Sequence, residues 1–192
     1  MIDLSFTSSK NPSKGSLLLS DPFMNEDYFR RSIVYLCEHN KEGSYGFVLN
    51  NFLPLNLKEL GEDFPDIETQ LTLGGPLDKD NLYFIHTLGD KIENSIKIKG
   101  NIYIGGNFSQ LSKLLTEDKK LIKKVRFFVG YSGWSLNQLN DEIEQNNWIA
   151  VKLNSKSDLF ENKLKVTWRD YMKAQGGKFS VLADFIINPI NN

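Results

Sequence analysis

The chain has one cysteine, Cys37, and two histidines, His39 and His86. A lone cysteine closes no internal disulfide, so nothing in the sequence points to an oxidising compartment. Cys37 and His39 sit at i and i+2 of an apolar run, which places them on one face of a strand. With His86 they would supply three ligands, but none of the known zinc spacings is present. No metal and no cofactor is therefore expected. Long apolar runs are missing too: nothing approaches the ~18 consecutive residues of a membrane span. The first residues, "MIDLSFTSSKNPSKG", lack the apolar segment of a signal peptide, so a cytoplasmic protein with no membrane contact is expected. Neither sign of charge is in excess. Lys+Arg 23 against Asp+Glu 24 leaves a formal charge of −1, whereas dedicated nucleic-acid binders carry a basic excess. Neither "GGPLDKD" nor "GGNFSQ" matches a dinucleotide or P-loop pattern; they read as a turn and a helix start.

What is present describes an ordinary folded chain. Of its 192 residues 40% are hydrophobic and 24% charged, enough apolar surface for one core and too little charge for disorder. Residues 1–14 form a polar lead-in, followed by a single domain over 15–192. "GSLLLS" (15–20) predicts a buried strand. "SIVYLCEHN" (32–40) and "YGFVLNN" predict a hairpin, and "SIKIKGNIYIGG" (95–106) predicts a second one. Further strands are predicted at 81–87, 125–130 and 148–153. Helical spacing occupies 55–64, 107–120 (capped by Asn107), 136–146 and 158–173, the last closed by Gly176-Gly177. Gly74, Gly75 and Pro76 read as turn chemistry with freedom at positive φ. Neighbouring hairpins without a βαβ alternation predict an α+β fold with a mixed, mainly antiparallel sheet.

One stretch invites a catalytic reading. "FFVGYSGWSLNQLNDEI" (127–143) runs from an apolar strand through glycines into helical spacing, with Ser132 at the expected bend. A nucleophile elbow needs G-x-S-x-G and a histidine after the serine. Here Trp134 occupies the second glycine's place, and both histidines precede Ser132. Gly130 and Gly133 then read as a structural corner, with Trp134, Leu136, Leu139 and Ile143 inward and Gln138 and Glu142 on a second face. "EDKKLIKKVR" (117–126) is the most basic stretch; it could touch nucleic-acid phosphates, but lysines at a helix end more commonly answer the macrodipole.

Four segments together carry a resemblance: "DPFMNEDYFRRSIVYLCEHNKEGSYGFVLN" (21–50), "LGGPLDKDNLYFIH" (73–86), "GYSGWSLNQLNDEIEQNNW" (130–148) and "TWRDYMKAQGG" (167–177). In this order they resemble the YqgE/AlgH family of bacterial proteins. The resemblance implies a bifurcated sheet curled into a pseudo-barrel and flanked by helices. For activity it implies less, because the label of transcriptional regulator names an association and not a mechanism. The shared pattern falls on Arg31, His39, Gly43, Gly46, Asn50, Gly74, Gly75, Pro76, His86, Gly130, Tyr131, Trp134, Gln138, Leu139, Glu142 and Trp148. Of these, Arg31, His39, Asn50, His86, Tyr131, Gln138 and Glu142 are the candidates for a ligand or partner site. The glycines, Pro76, Trp134 and Trp148 are expected to be structural. Asn137 and Asn140 stand where the family usually has glycine and glutamate, and Ser132 where it has alanine, which removes Ser132 as a shared nucleophile.

The expectation is a non-enzymatic protein that binds an unidentified ligand or protein partner, as a monomer or an oligomer. The alternative is a small-molecule or nucleotide-handling enzyme using His39, His86, Tyr131 and Gln138. Phosphate neutralisation supplies most non-specific affinity for DNA. Anisotropy titrations at physiological salt are therefore expected to show no sub-micromolar binding to duplex DNA; tight binding with a steep salt slope would overturn this.

Overall fold

A computed structural model describes residues 11–24, 26–62, 64–153, 155–160 and 167–184. Most of the predicted lead-in, the tail beyond 184 and part of the predicted 158–173 helix lie outside the described residues. In chain order the strands are β1 (Ser16–Ser20), β2 (Ile33–Asn40), β3 (Gly43–Val48), β4 (Phe52–Asn56), β5 (Gln70–Leu73), β6 (Leu77–His86), β7 (Ile96–Lys99), β8 (Ile102–Ile104), β9 (Val125–Trp134) and β10 (Trp148–Lys152). The helices are α1 (Phe108–Glu117), α2 (Gln138–Glu144), α3 (Trp168–Ala174) and α4 (Gly177–Ala183).

Eight strands follow one path, β10-β1-β2-β3-β9-β6-β8-β7, and β4 joins through β5. The pairings are antiparallel except that of β5 with β9. β9 is where the sheet divides. Its last residues, Gly133 and Trp134, pair with β3, its middle residues Phe128 and Val129 pair with β5, and β6 runs along the opposite edge. The mixed, mainly antiparallel sheet thus forks and curls into a half-barrel flanked by helices, as the α+β reading and the resemblance implied.

Burial explains the curl. β1 carries three consecutive leucines with no accessible surface, so both of its faces need cover. On the inner face Leu17, Tyr35, Phe47 and Phe128 meet Trp168 and Met172 of α3 and Leu182 of α4. On the outer face Leu18, Val34 and Val48 meet Trp134, Leu139 and Ile143. A separate cluster puts Leu111 and Leu115 of α1 against Phe84 and Phe127. Asn107 caps α1 by accepting from the Gln110 amide at 3.1 Å, as its sequence position predicted.

Several expectations change. No bend breaks the chain at Ser132: β9 continues to Trp134, and Ser132 pairs with Gly46 inside the sheet. Gly130, at φ 65°, shifts the alternation instead. Phe128 and Tyr131 consequently face the same inner cluster, while Trp134 faces the outer one. Gly74 and Gly75 are not at positive φ. A Cβ on Gly75 would lie 1.8 Å from the Tyr131 carbonyl, so close approach to β9 dictates glycine there. Cys37 and His39 do not share a face. The β2–β3 register shifts between Leu36 and Glu38, so Cys37 stays in the inner cluster while His39 pairs with Ser44 on the other side. Of the predicted helix over 55–64, Leu55 and Asn56 end β4, and a single 3-10 turn, Leu57–Leu60, follows through a capping box of Asn56 and Glu59. Leu136, expected inward, is 58% exposed and precedes a shortened α2. Gly176 does not simply close a helix; α4 follows it directly.

Arg126 also departs from expectation. Read as part of a basic surface stretch, it is instead buried, with Nε and Nη2 donating to Thr72 Oγ1 at 3.3 and 3.1 Å and Nη1 to the Leu159 carbonyl at 3.1 Å. Nη2 also donates to the Leu49 carbonyl, and the guanidinium lies 5.1 and 5.4 Å from the Phe52 and Phe128 ring centroids. Burial pulls its pKa down to about 9, so the cation persists at neutral pH. Among the described residues no helix is long and apolar enough to cross a membrane.

Arg126→Met would strand two buried carbonyls, and urea unfolding is expected to show a loss of about 3 kcal/mol or more. Arg126→Lys, a point charge without the fork, is expected to recover only part of that. An unchanged midpoint in the Met variant would show that the carbonyls find other donors.

Candidate functional site

The segment from β9 into α2 assembles around one carboxylate. Glu142 Oε2 accepts from Trp134 Nε1 at 2.8 Å and Trp148 Nε1 at 2.9 Å, and Oε1 accepts from Gln138 Nε2 at 2.8 Å. Both indoles are buried, meet edge to face at 5.6 Å, and would otherwise carry unpaired donors. Gln138 Oε1 accepts in turn from the Ser135 amide at 2.9 Å and its hydroxyl at 3.1 Å, fixing the first turn of α2. Helix spacing brings Gln138 and Glu142 together, as predicted. The chain enters α2 through Asn137 at φ 63°. Glycine takes that conformation freely and asparagine is among the few alternatives, so the departure at Asn137 preserves the backbone. Asn140, the other departure, is exposed.

This corner frames a cleft of about 400 Å³ with Asp21, Glu26, Phe23, Met24, Phe29 and Leu77 on its far side. Phe23 and Leu77 are 50% and 43% exposed. Burial raises the Asp21 pKa, partly offset by the Phe23 amide that Asp21 accepts at 2.6 Å.

The other candidates lie apart. Asn50 accepts from the Ile33 amide at 2.9 Å and donates to the Arg31 carbonyl at 2.8 Å, closing the entrance to β2. Arg31 itself takes φ 56° and lies 5.6 Å from the Trp168 ring centroid. His39 Nδ1 shares a hydrogen bond of 2.7 Å with Ser44 Oγ. His86 is buried; its Nδ1 accepts from the Leu88 amide at 3.2 Å, and its Nε2 lies 3.0 Å from the Gly105 carbonyl and 3.1 Å from Ser95 Oγ. Burial lowers its pKa, keeping the ring neutral with Nε2 donating to Gly105. Tyr131 stands edge to face with Tyr45 and Tyr83 at 6.2 and 5.7 Å. The structure therefore brings together Gln138 and Glu142, and joins Asn50 to Arg31, but unites neither histidine with Tyr131 or Gln138. Ser132 is inaccessible and donates to the Gly74 carbonyl at 3.0 Å. Pro76 follows the Gly74-Gly75 crossing at the rim of the cleft. Among the described residues no group of three or more His, Cys, Asp or Glu could hold a metal.

Sequence reasoning missed a second recess. It lies where the two ends of the strand path, β10 and the β7–β8 hairpin, approach without pairing, and it encloses about 710 Å³. The interrupted lysine spacing of "KIKG" and "AVKL" gave no signal that these strands would face one another.

A family model described as AlgH-like matches residues 17–180. A UPF0301 protein of Cytophaga hutchinsonii is 37% identical over 178 residues, covering 92% of this chain and 97% of its own. One from Bacteroides thetaiotaomicron is 35% identical over 175 residues, covering 91% and 88%. Among solved structures, a Corynebacterium diphtheriae protein aligns with TM-score 0.73 at 21% identity, over 92% of this chain and 94% of that one. The solution structure of AlgH from Pseudomonas aeruginosa aligns with TM-score 0.67 at 24% identity, over 93% and 99%. These two likenesses concern the fold alone.

Glu142→Ala leaves two buried indole donors unpaired and is expected to cost about 2–4 kcal/mol in urea unfolding. Glu142→Gln keeps an acceptor for the indoles and should cost about 1 kcal/mol or less. Equal losses in the two variants would mean that charge, and not hydrogen bonding, holds the corner.

Proposed function

The chain belongs to the AlgH-like family, and from that premise we propose that it acts by binding, in a regulatory role in a bacterial cytoplasm, and not by catalysis. One observation carries the reading: Glu142, Gln138, Asn50 and both histidines of the shared pattern have hydrogen-bond partners within the fold. Glu142 serves two indoles and Gln138, Asn50 holds the β2 entrance, and His86 ties Gly105 to Leu88. A nucleophile needs a base within hydrogen-bond reach. Ser132 spends its proton on a backbone carbonyl, and His39 is engaged with Ser44. What the surface offers is concave space, in the corner cleft and the recess between the sheet ends. With the near-neutral charge, this favours a small ligand or a protein partner over a direct grip on DNA.

The test is turnover. Incubation with generic carboxyl-ester, phosphate-ester and nucleotide substrates is expected to give no rate above background, unaltered by His39→Ala, Tyr131→Phe or Gln138→Ala. Turnover abolished by any of these variants while it remains folded would establish an enzyme instead.

A further inference from the structure

The recess between the sheet ends has a lining unlike the corner's. Its walls come from β1, β10 and the β7–β8 hairpin, with Ile102 and Val151 as apolar floor and Lys99, Lys152 and Lys156 around it. No aspartate or glutamate lines it. Lys99 and Lys152 have no ion pair or hydrogen bond with any described residue. The Lys99 stem lies across Gly15, its Cδ 2.5 Å from where a Cβ would stand, so glycine leaves that lysine room. Lys156 reaches over the hairpin turn and donates to Asn101 Oδ1. Ammonium groups are thereby gathered at one opening.

Tyr35 supplies the second observation. It lines the recess, has no accessible surface, and its hydroxyl finds no hydrogen-bond partner. A buried hydroxyl left unpaired is costly, and phenylalanine would fill the same inner-face position without that cost. Burial pushes the phenol's pKa upward, so it remains a donor at neutral pH. An acceptor brought in from outside would satisfy it.

We propose that this recess is the ligand site and that it takes a small organic anion, with a phosphate or carboxylate head among Lys99, Lys152, Lys156 and the Tyr35 hydroxyl and an apolar body over Ile102 and Val151. About 710 Å³ suits a ligand of drug size. The corner cleft, bordered by Asp21, Glu26 and Glu142, would repel the same head. This inference rests on the binding reading above and adds the site and the chemical class.

Hexyl phosphate, hexanoate and neutral hexanol serve as probes, titrated by calorimetry and mapped by amide chemical shifts. At least one anion is expected to bind, with a steep salt dependence, and to shift Lys99–Ile102 and Ala150–Leu153, while hexanol does not bind. Preference for hexyl phosphate would identify an organic phosphate as the ligand type, and preference for hexanoate a carboxylate. The double variant Lys99→Gln/Lys152→Gln should weaken binding tenfold or more, and Lys123→Gln, outside the recess lining, should leave it unchanged. Tyr35→Phe should melt no earlier than the parent without ligand yet bind several-fold more weakly, a combination that a purely structural tyrosine would not give. The inference is overturned if neither anion binds, if hexanol binds equally, if the lysine and tyrosine variants bind as the parent does, or if the shifts map to Gly133–Glu142. Such a failure leaves the turnover test untouched.

Discussion

The half-barrel depends on a cation taken into its core. Arg126 sits on β9, the strand from which the sheet divides, and its guanidinium reaches β5 through Thr72, the end of β3 through Leu49, and the chain after β10 through Leu159. No described carboxylate answers its charge. The charge is instead dispersed over carbonyl and hydroxyl oxygens and between two phenyl rings. Desolvating a cation is costly, so the arrangement holds only when every one of these segments is in place. A fork of donors suits the task because its planar geometry reaches several acceptors at once.

Around that centre, several groups singled out in the sequence hold elements together. Trp134 and Trp148 approach from β9 and β10, two strands far apart along the sheet path, and Glu142 from α2 takes both of their N–H groups. One carboxylate therefore fixes the pitch of a helix against two strands. Gly75 acts through absence: with no Cβ, the backbone after β5 lies directly on Tyr131. Glu142, Asn50 and Gly75 thus help to build the frame, and Lys99 and Lys152 line one of the recesses that it leaves.

How much of this was legible in the sequence follows from which forces are local. Hairpins 33–48 and 96–104 were visible because alternation and turn glycines act over a few residues. The Asn107 cap was visible for the same reason. Arg126 was misread because a charged residue beside lysines looks solvated until distant carbonyls converge on it. Cys37 and His39 were placed on one face because simple alternation does not anticipate a register shift. At the candidate site, the pairing of Gln138 with Glu142 could be read from helix spacing, but their commitment to two indoles could not, since Trp148 arrives from another element. Tyr35 carries no local signal in its strand, and only the fold reveals that its hydroxyl is left over.

The division of the sheet at β9 also bears on how the molecule is made. Strand β3 is finished early in synthesis, yet its free edge over Ser44–Gly46 is covered by Ser132, Gly133 and Trp134, which emerge much later. At ~5–20 residues per second on the ribosome, that edge waits for several seconds with Phe47 and Val48 beside it. An uncovered strand next to apolar side chains is a template for pairing with a neighbouring chain. The β2–β3 hairpin is therefore the segment a nascent-chain chaperone would shield, and release of β9 from the exit tunnel is the event that ends the need for it.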